Sequence, residues 1–286
     1  MEETNVWFGA GLYVCGKPEV TERLLRLALI DKEGEVAGVQ MEMIVTTTWG
    51  SERVNRPRQV TPTTLADLLK TFAAGRLGSI GAYDRRIDMN APTPDNPCEA
   101  YLTFDINLGD NYDRVCTVSL EGPSKLYRQE DLIGYFRQIV CRQEVDYGCI
   151  LTGLDRIRVS AVLGLIPQAT LEEFLYFSRT GQKDHPLLRF EEEIGFYQSH
   201  RLKRHFQEWI PRANWATILS SNHAEKLGGE DRIRKESGCR LVERWGSNLY
   251  LQLTESLWDA SKDELARLNH YFEPIRFPDA PEAVYL

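Results

Sequence analysis

Leu241-Val242-Glu243-Arg244-Trp245-Gly246-Ser247-Asn248-Leu249-Tyr250-Leu251-Gln252-Leu253 is the stretch whose reading decides the fold. Residues 241–245 and 249–253 alternate on either side of Gly246-Ser247, a glycine-first pair suited to a tight hairpin turn. Strands joined by so short a turn can only pair antiparallel. The same logic applies upstream, where Ala100, Leu102, Phe104 and Ile106 alternate, then Cys116, Val118 and Leu120. Between them Asn107-Leu108-Gly109-Asp110-Asn111-Tyr112 is turn chemistry, so a second antiparallel hairpin is expected.

Helical signals surround these hairpins. Pro18 to Asp31 places Val20, Leu24, Leu27 and Ala28 on one face, with Pro18 in the first turn and Gly34 as a stop. Thr61 reads as an N-cap and Pro62 as the first residue of a helix whose stripe is Leu65, Leu68, Leu69 and Phe72. Arg128 to Arg142 turns Leu132, Phe136, Ile139 and Val140 inward, and Asn222 to Leu227 reads as a short helix stopped by Gly228-Gly229. Ser261-Lys262-Asp263-Glu264 has capping-box spacing before Leu265, Leu268 and Phe272. Further strands are expected at Val6–Cys15, at Trp215–Leu219, and at 39–45 with Val39, Met41, Met43 and Val45 facing one way. Ile157 to Leu165 also alternates, Thr170-Leu171-Glu172-Glu173 has capping-box spacing, and 181–211 reads equally as helix or strand.

Antiparallel hairpins mixed with helices predict an α+β protein, with antiparallel sheets and helices packed on them. The order strand, helix, hairpin, helix occurs near the C-terminus and, less regularly, in the first 145 residues. Two related modules, 1–150 and 151–286, are therefore expected, either separate or packed as one compact unit.

The chain has 286 residues with 42% hydrophobic and 27% charged, an ordinary globular balance. Its formal net charge of −8 opposes non-specific nucleic-acid binding, which needs a basic surface to displace counterions. No apolar run reaches the roughly 18 residues of a membrane span. Met1-Glu2-Glu3-Thr4-Asn5 lacks the basic start and apolar core of a secretion signal, so a cytoplasmic location is expected. The six cysteines form no C-x-x-C pair and are expected to be buried, reduced thiols.

Motifs that carry chemistry are absent or misplaced. Gly9-Ala10-Gly11 with Gly16 lacks the spacing of a dinucleotide loop and lies within a strand. Asp105, Asn107, Asp110 and Asp113 cluster, yet Gly109 and Asp110 occupy the wrong places for a calcium loop. His200 and His205 are five apart, which separates them on a helix. Ser220-Ser221 reads as a helix cap and not a nucleophile, and a G-x-S-x-G elbow is missing. No catalytic, cofactor-binding or metal-binding residue is assigned, and no cofactor is expected. A catalytic site assembled from distant positions would leave no local pattern.

The segment Asn214-Trp215-Ala216-Thr217-Ile218-Leu219, Leu241-Val242-Glu243, Leu249 to Glu255, Trp258-Asp259-Ala260-Ser261 and the helix to Phe272 resembles the end of bacterial immunity protein family 52. Trp7-Phe8-Gly9-Ala10, the Arg56-Pro57 lead into the Leu65–Phe72 helix, and the strands through Phe104 and Val118 are similar too. Residues 154–211 stand apart, as an insertion would. The resemblance implies a cytoplasmic protein that binds and blocks a cognate toxin of a polymorphic or type VI secretion system. For this family it implies a toxin of restriction-endonuclease type. A nuclease presents a basic surface to DNA, and an acidic inhibitor complements it.

The expected function is thus an immunity protein without enzymatic activity, whose partner is a nuclease toxin and neither nucleic acid nor a membrane. The candidate partner-binding acids are Asp110, Asp113 and the run Glu191, Glu192 and Glu193. The alternatives are an adaptor or chaperone that delivers an effector, and an enzyme of unrecognised type.

Overall fold

A strand buried on both faces and a strand buried on one leave different traces in sequence, and this chain builds its sheet from both kinds. The computed structural model describes residues 7–15, 18–48, 57–84, 103–108, 115–123, 128–153, 205–280 and 283. Its strands are β1 (Trp7–Cys15), β2 (Glu35–Val36), β3 (Val39–Gln40), β4 (Met43–Thr48), β5 (Arg58–Gln59), β6 (Leu77–Tyr83), β7 (Thr103–Asn107), β8 (Val115–Pro123), β9 (Tyr147–Gly153), β10 (Ala216–Leu219), β11 (Leu241–Trp245) and β12 (Asn248–Gln252). The α-helices are α1 (Pro18–Leu25), α2 (Pro62–Ala73), α3 (Gln129–Val140), α4 (Ser221–Lys226), α5 (Glu230–Glu236) and α6 (Lys262–Tyr271). Both expected hairpins form, and the protein is α+β.

Ten strands make one sheet in the order β11-β12-β10-β9-β1-β8-β7-β6-β4-β5, and β2-β3 is a separate ribbon. Every neighbouring pair in the large sheet is antiparallel. Residues directly opposite one another share a face, so the registers define rows across the sheet. One row runs Tyr250, Ile218, Gly148, Leu12, Val118, Ile106, Ile80. All seven are buried. At Gly148 a Cβ would stand 2.8 Å from Leu12 Cδ2 and 2.9 Å from Ile218 Cδ1, so only glycine lets these two side chains close over β9. Helix α3 covers this face. Tyr135 on α3 donates to the Ala28 carbonyl at 2.8 Å, tying it to the turn Arg26–Ile30 that extends α1.

The next row, on the opposite face, changes character along its length. Leu249, Leu219, Tyr147 and Tyr13 are buried, and Phe206 packs on both tyrosine rings at centroid distances of 5.1 and 5.5 Å. Past β1 the same row continues as Thr117, Asn107 and Ser79.

The cap signals work as their chemistry requires. Thr61 accepts from the Thr64 amide, and Ser220 and Ser261 close capping boxes with His223 and Glu264. The strand expected at 39–45 is corrected. Met41 N–H donates to the Gly34 carbonyl and Glu42 N–H to the Tyr83 carbonyl, so the chain leaves the ribbon and joins the large sheet between these residues. The pleat is reset there. Ile44 and Thr46 of β4 are buried, and Met43 and Val45 are half-buried. The expectations at 157–165 and 170–173 lie outside the described residues.

Candidate partner-binding surface

After β12 the chain crosses to α6 through a segment that polar contacts pin at almost every residue. Leu253 N–H donates to the Trp215 carbonyl at 2.9 Å, and Trp215 Nε1–H donates to Thr254 Oγ1 at 3.0 Å. Thr254 Oγ1–H in turn donates to the Ser256 carbonyl at 2.8 Å. Gln252 Nε2–H reaches the carbonyls of Thr254 and Glu255 at 2.8 and 3.1 Å. Gln129, in the first turn of α3, clamps the segment from across the fold. Its Nε2–H donates to the Glu255 carbonyl at 2.9 Å, and its Oε1 accepts from Leu257 N–H at 2.7 Å. Asp259 N–H donates to the Ser256 carbonyl, Trp258 N–H donates to Ser256 Oγ, and Ser261 starts α6.

The result is a loop whose apolar residues point opposite ways. Leu257 is buried, while Trp258 is 46% exposed. An exposed indole on a loop of free backbone loses entropy when it is captured. Here intramolecular hydrogen bonds have already ordered the loop, each contributing on the order of 1 kcal/mol net. A rigid amphipathic aromatic is the side chain most enriched among residues that dominate protein–protein binding energy. The arrangement is suited to receiving a partner surface.

Elsewhere the buried polar groups serve the fold. Tyr147 O–H donates to the Arg212 carbonyl at 3.0 Å and accepts from Asn214 Nδ2–H at 2.8 Å. Burial holds that phenol well above its ordinary range. Asn248, fully buried, accepts from Val145 N–H and donates to the carbonyls of Val145 and Leu219. Burial raises the Asp146 carboxyl to about 6, against the opposing pull of hydrogen bonds from the Cys15 amide and the Gln207 side chain. Burial also lowers His223, to about 4, with help from the nearby Lys226 charge.

Asp110, Asp113, Glu191, Glu192 and Glu193, the acids singled out by sequence, lie outside the described residues. β7 ends at Asn107 and β8 begins at Val115, at the end of the strands where β1 finishes at Cys15. The registers place the end of β12, from which the Trp258 loop leaves, at the opposite end of the strands from Asn107 and Val115. Sequence reasoning passed over Trp258 as part of a hydrophobic pattern, and the cue it held was Trp258-Asp259 one residue ahead of the Ser261 capping box.

Gly9 and Gly11 sit in β1 between β8 and β9, in sheet pairing. Among the described residues no group of three or more His, Cys, Asp or Glu is placed to hold a metal ion. No described helix is long and apolar enough to cross a membrane. The cysteine expectation is corrected in part: Cys116 and Cys149 are buried, the latter thiol pushed up to about 12, but Cys15 and Cys239 are half-buried and Cys141 is exposed just past α3, while Cys98 lies outside the described residues. Cys141 is the C-cap residue of α3.

No family model and no curated protein matches the chain, so the resemblance to immunity family 52 has no matching model behind it. Among solved structures the chain is similar to the Pseudomonas aeruginosa T6SS protein PA0821, with a TM-score of 0.56 and 15% sequence identity. The match covers 95% of this chain and 73% of that one. At this identity what the two share is the fold.

Proposed function

We propose that this chain is an immunity protein of a type VI secretion system, which binds a cognate secreted toxin in the cytoplasm and neutralises it without catalysis of its own. The observation that carries the reading is Trp258, an exposed tryptophan held on a loop ordered in advance by contacts from Trp215, β12 and α3. Such an anchor lowers the entropic cost of forming an interface, which for a stable complex buries on the order of 1,600 Å² in total. The secretion-system association draws on the fold shared with a T6SS protein. The proposed toxin is a nuclease, on the strength of the family resemblance and of the net charge of −8, which favours a basic partner over nucleic acid.

The test is co-expression with the toxin-like reading frame beside this chain's gene. Cells survive with this chain and die without it if the proposal holds; death despite good expression of the chain contradicts it. Assay of the purified complex separates inhibition from delivery. A complex with full nuclease activity would identify an adaptor instead.

A further inference from the structure

The described residues expose only two large apolar side chains, Trp258 and Leu241, and both flank one ion pair. Arg240 Nη2 lies 2.9 Å from Glu255 Oε2, Leu241 follows Arg240, and Trp258 comes three residues after Glu255. Helix α3 borders the same area. It runs alongside β11, the edge strand: Gln129 holds the Glu255–Leu257 backbone, and Arg137 Nη2 meets Glu243 Oε1 at 2.5 Å. Gln129, Ile133 and Arg137 are spaced four apart and so lie in one row of the helix. Half-buried Ile133 therefore faces the start of β11, where Leu241 stands.

Gly134 adds an independent mark. It sits in the middle of α3, where glycine weakens a helix relative to alanine. A Cβ there would meet nothing within 4 Å, so the fold itself makes no demand for glycine at this position. It leaves a low place on the outward side of α3, beside exposed Glu130 and Arg137, where another backbone can approach closely.

The charges specify the visitor. Arg128, Arg137 and Arg240 are each neutralised by an acid of this chain, namely Asp131, Glu243 and Glu255. Among the described residues, exposed Glu130, Asp259 and Asp263 make no ion pair, against two exposed bases of α6 in the same condition, Lys262 and Arg267. The balance of these unpaired groups is acidic, three carboxylates against two bases, and Asp259 follows Trp258 directly in the chain.

We propose that Trp258, Leu241, Ile133 and the Gly134 low place form one docking surface for a basic protein face with an apolar recess. The proposal rests on the reading of this chain as a toxin-binding protein and assigns the place where the toxin binds. The recess takes the Trp258 indole, and the basic rim meets Glu130, Asp259 and Asp263.

Calorimetric titration of the full chain with the purified product of the neighbouring toxin-like reading frame tests it. Trp258→Ala is expected to weaken binding by about thirtyfold or more, and Trp258→Phe to recover much of the loss. Gly134→Ala is expected to raise the thermal midpoint and yet weaken binding. Asp259→Lys slows association by roughly three- to tenfold at low salt, an effect that disappears at high salt. If the parent chain binds and Trp258→Ala binds equally well, the surface is overturned while the immunity reading stands. If the parent chain does not bind at all, both fall. A chain that is dimeric until Trp258 is removed would assign the surface to a second copy and overturn the toxin.

Discussion

Trp245 and Trp258 stand thirteen positions apart, and α3 reaches the neighbourhood of both, yet the chain treats them in opposite ways. Trp245 is fully buried and stacks on Tyr250 with ring centroids 3.9 Å apart and planes 6° from parallel. Its Nε1–H donates to Glu243, which Arg137 of α3 holds. Trp258 has a pinned backbone and a free ring. The lesson is that hydrogen bonds from one helix can be used to close a core or to present a side chain. The difference lies in whether they go to the side chain's own surroundings or to its backbone.

The largest expected effect comes from breaking the closed region. Trp245→Ala should cost about 3–5 kcal/mol, the usual range for removing a large buried aromatic, read as a lower denaturation midpoint in urea. Asn248→Ala is next at about 2–3 kcal/mol, since its three buried partners would lose their bonds together. Gln129→Ala removes the clamp at a partly exposed site and should cost about 1–2 kcal/mol. It should also weaken binding of the proposed toxin, because the loop must then be ordered at the moment of association. Trp258→Ala should change stability by less than about 0.5 kcal/mol. A loss as large as that of Trp245 would erase the contrast.

A pH profile sharpens the picture of the buried groups Asp146 and His223. With the Asp146 carboxyl raised from 3.8 to about 6, the folded chain keeps a proton that the unfolded chain has released. This group therefore subtracts stability as pH climbs from about 4 to about 6. His223, lowered from 6.5 to about 4, subtracts stability as pH falls through the same window. The two trends oppose. Asp146→Asn leaves the second alone, so relative to the parent the variant should gain stability from pH 4 to pH 6. Urea melts at pH 4, 5, 6 and 7 check the sign.

The features legible in sequence were those with local causes. The turn at Gly246-Ser247, the Thr61 and Ser261 caps and the amphipathic stripes of α2 and α3 each follow from a few neighbouring residues. β9 was missed because it is central: Tyr147 to Leu151 is buried on both faces and shows no alternation. β6 was missed because Gly78 and Gly81 interrupt its pattern, and α5 because Ile233 is its one buried residue. The strand at 39–45 kept its period but had its phase reversed by a corner between two sheets, which no local pattern records. Trp258 was invisible as a site for a similar reason. Exposure depends on Gln129 reaching across 126 positions of sequence.

Hydrogen–deuterium exchange of the free chain over Thr254–Ser261 tests the central claim most directly. The account predicts that the amides of Leu257, Trp258 and Asp259 exchange slowly, with protection approaching that of β12, and that Gln129→Ala abolishes this protection. Exchange of those amides in the parent chain at the rate of an unstructured peptide would contradict it, for Trp258 would then be a tryptophan on a loose loop and not an anchor held ready.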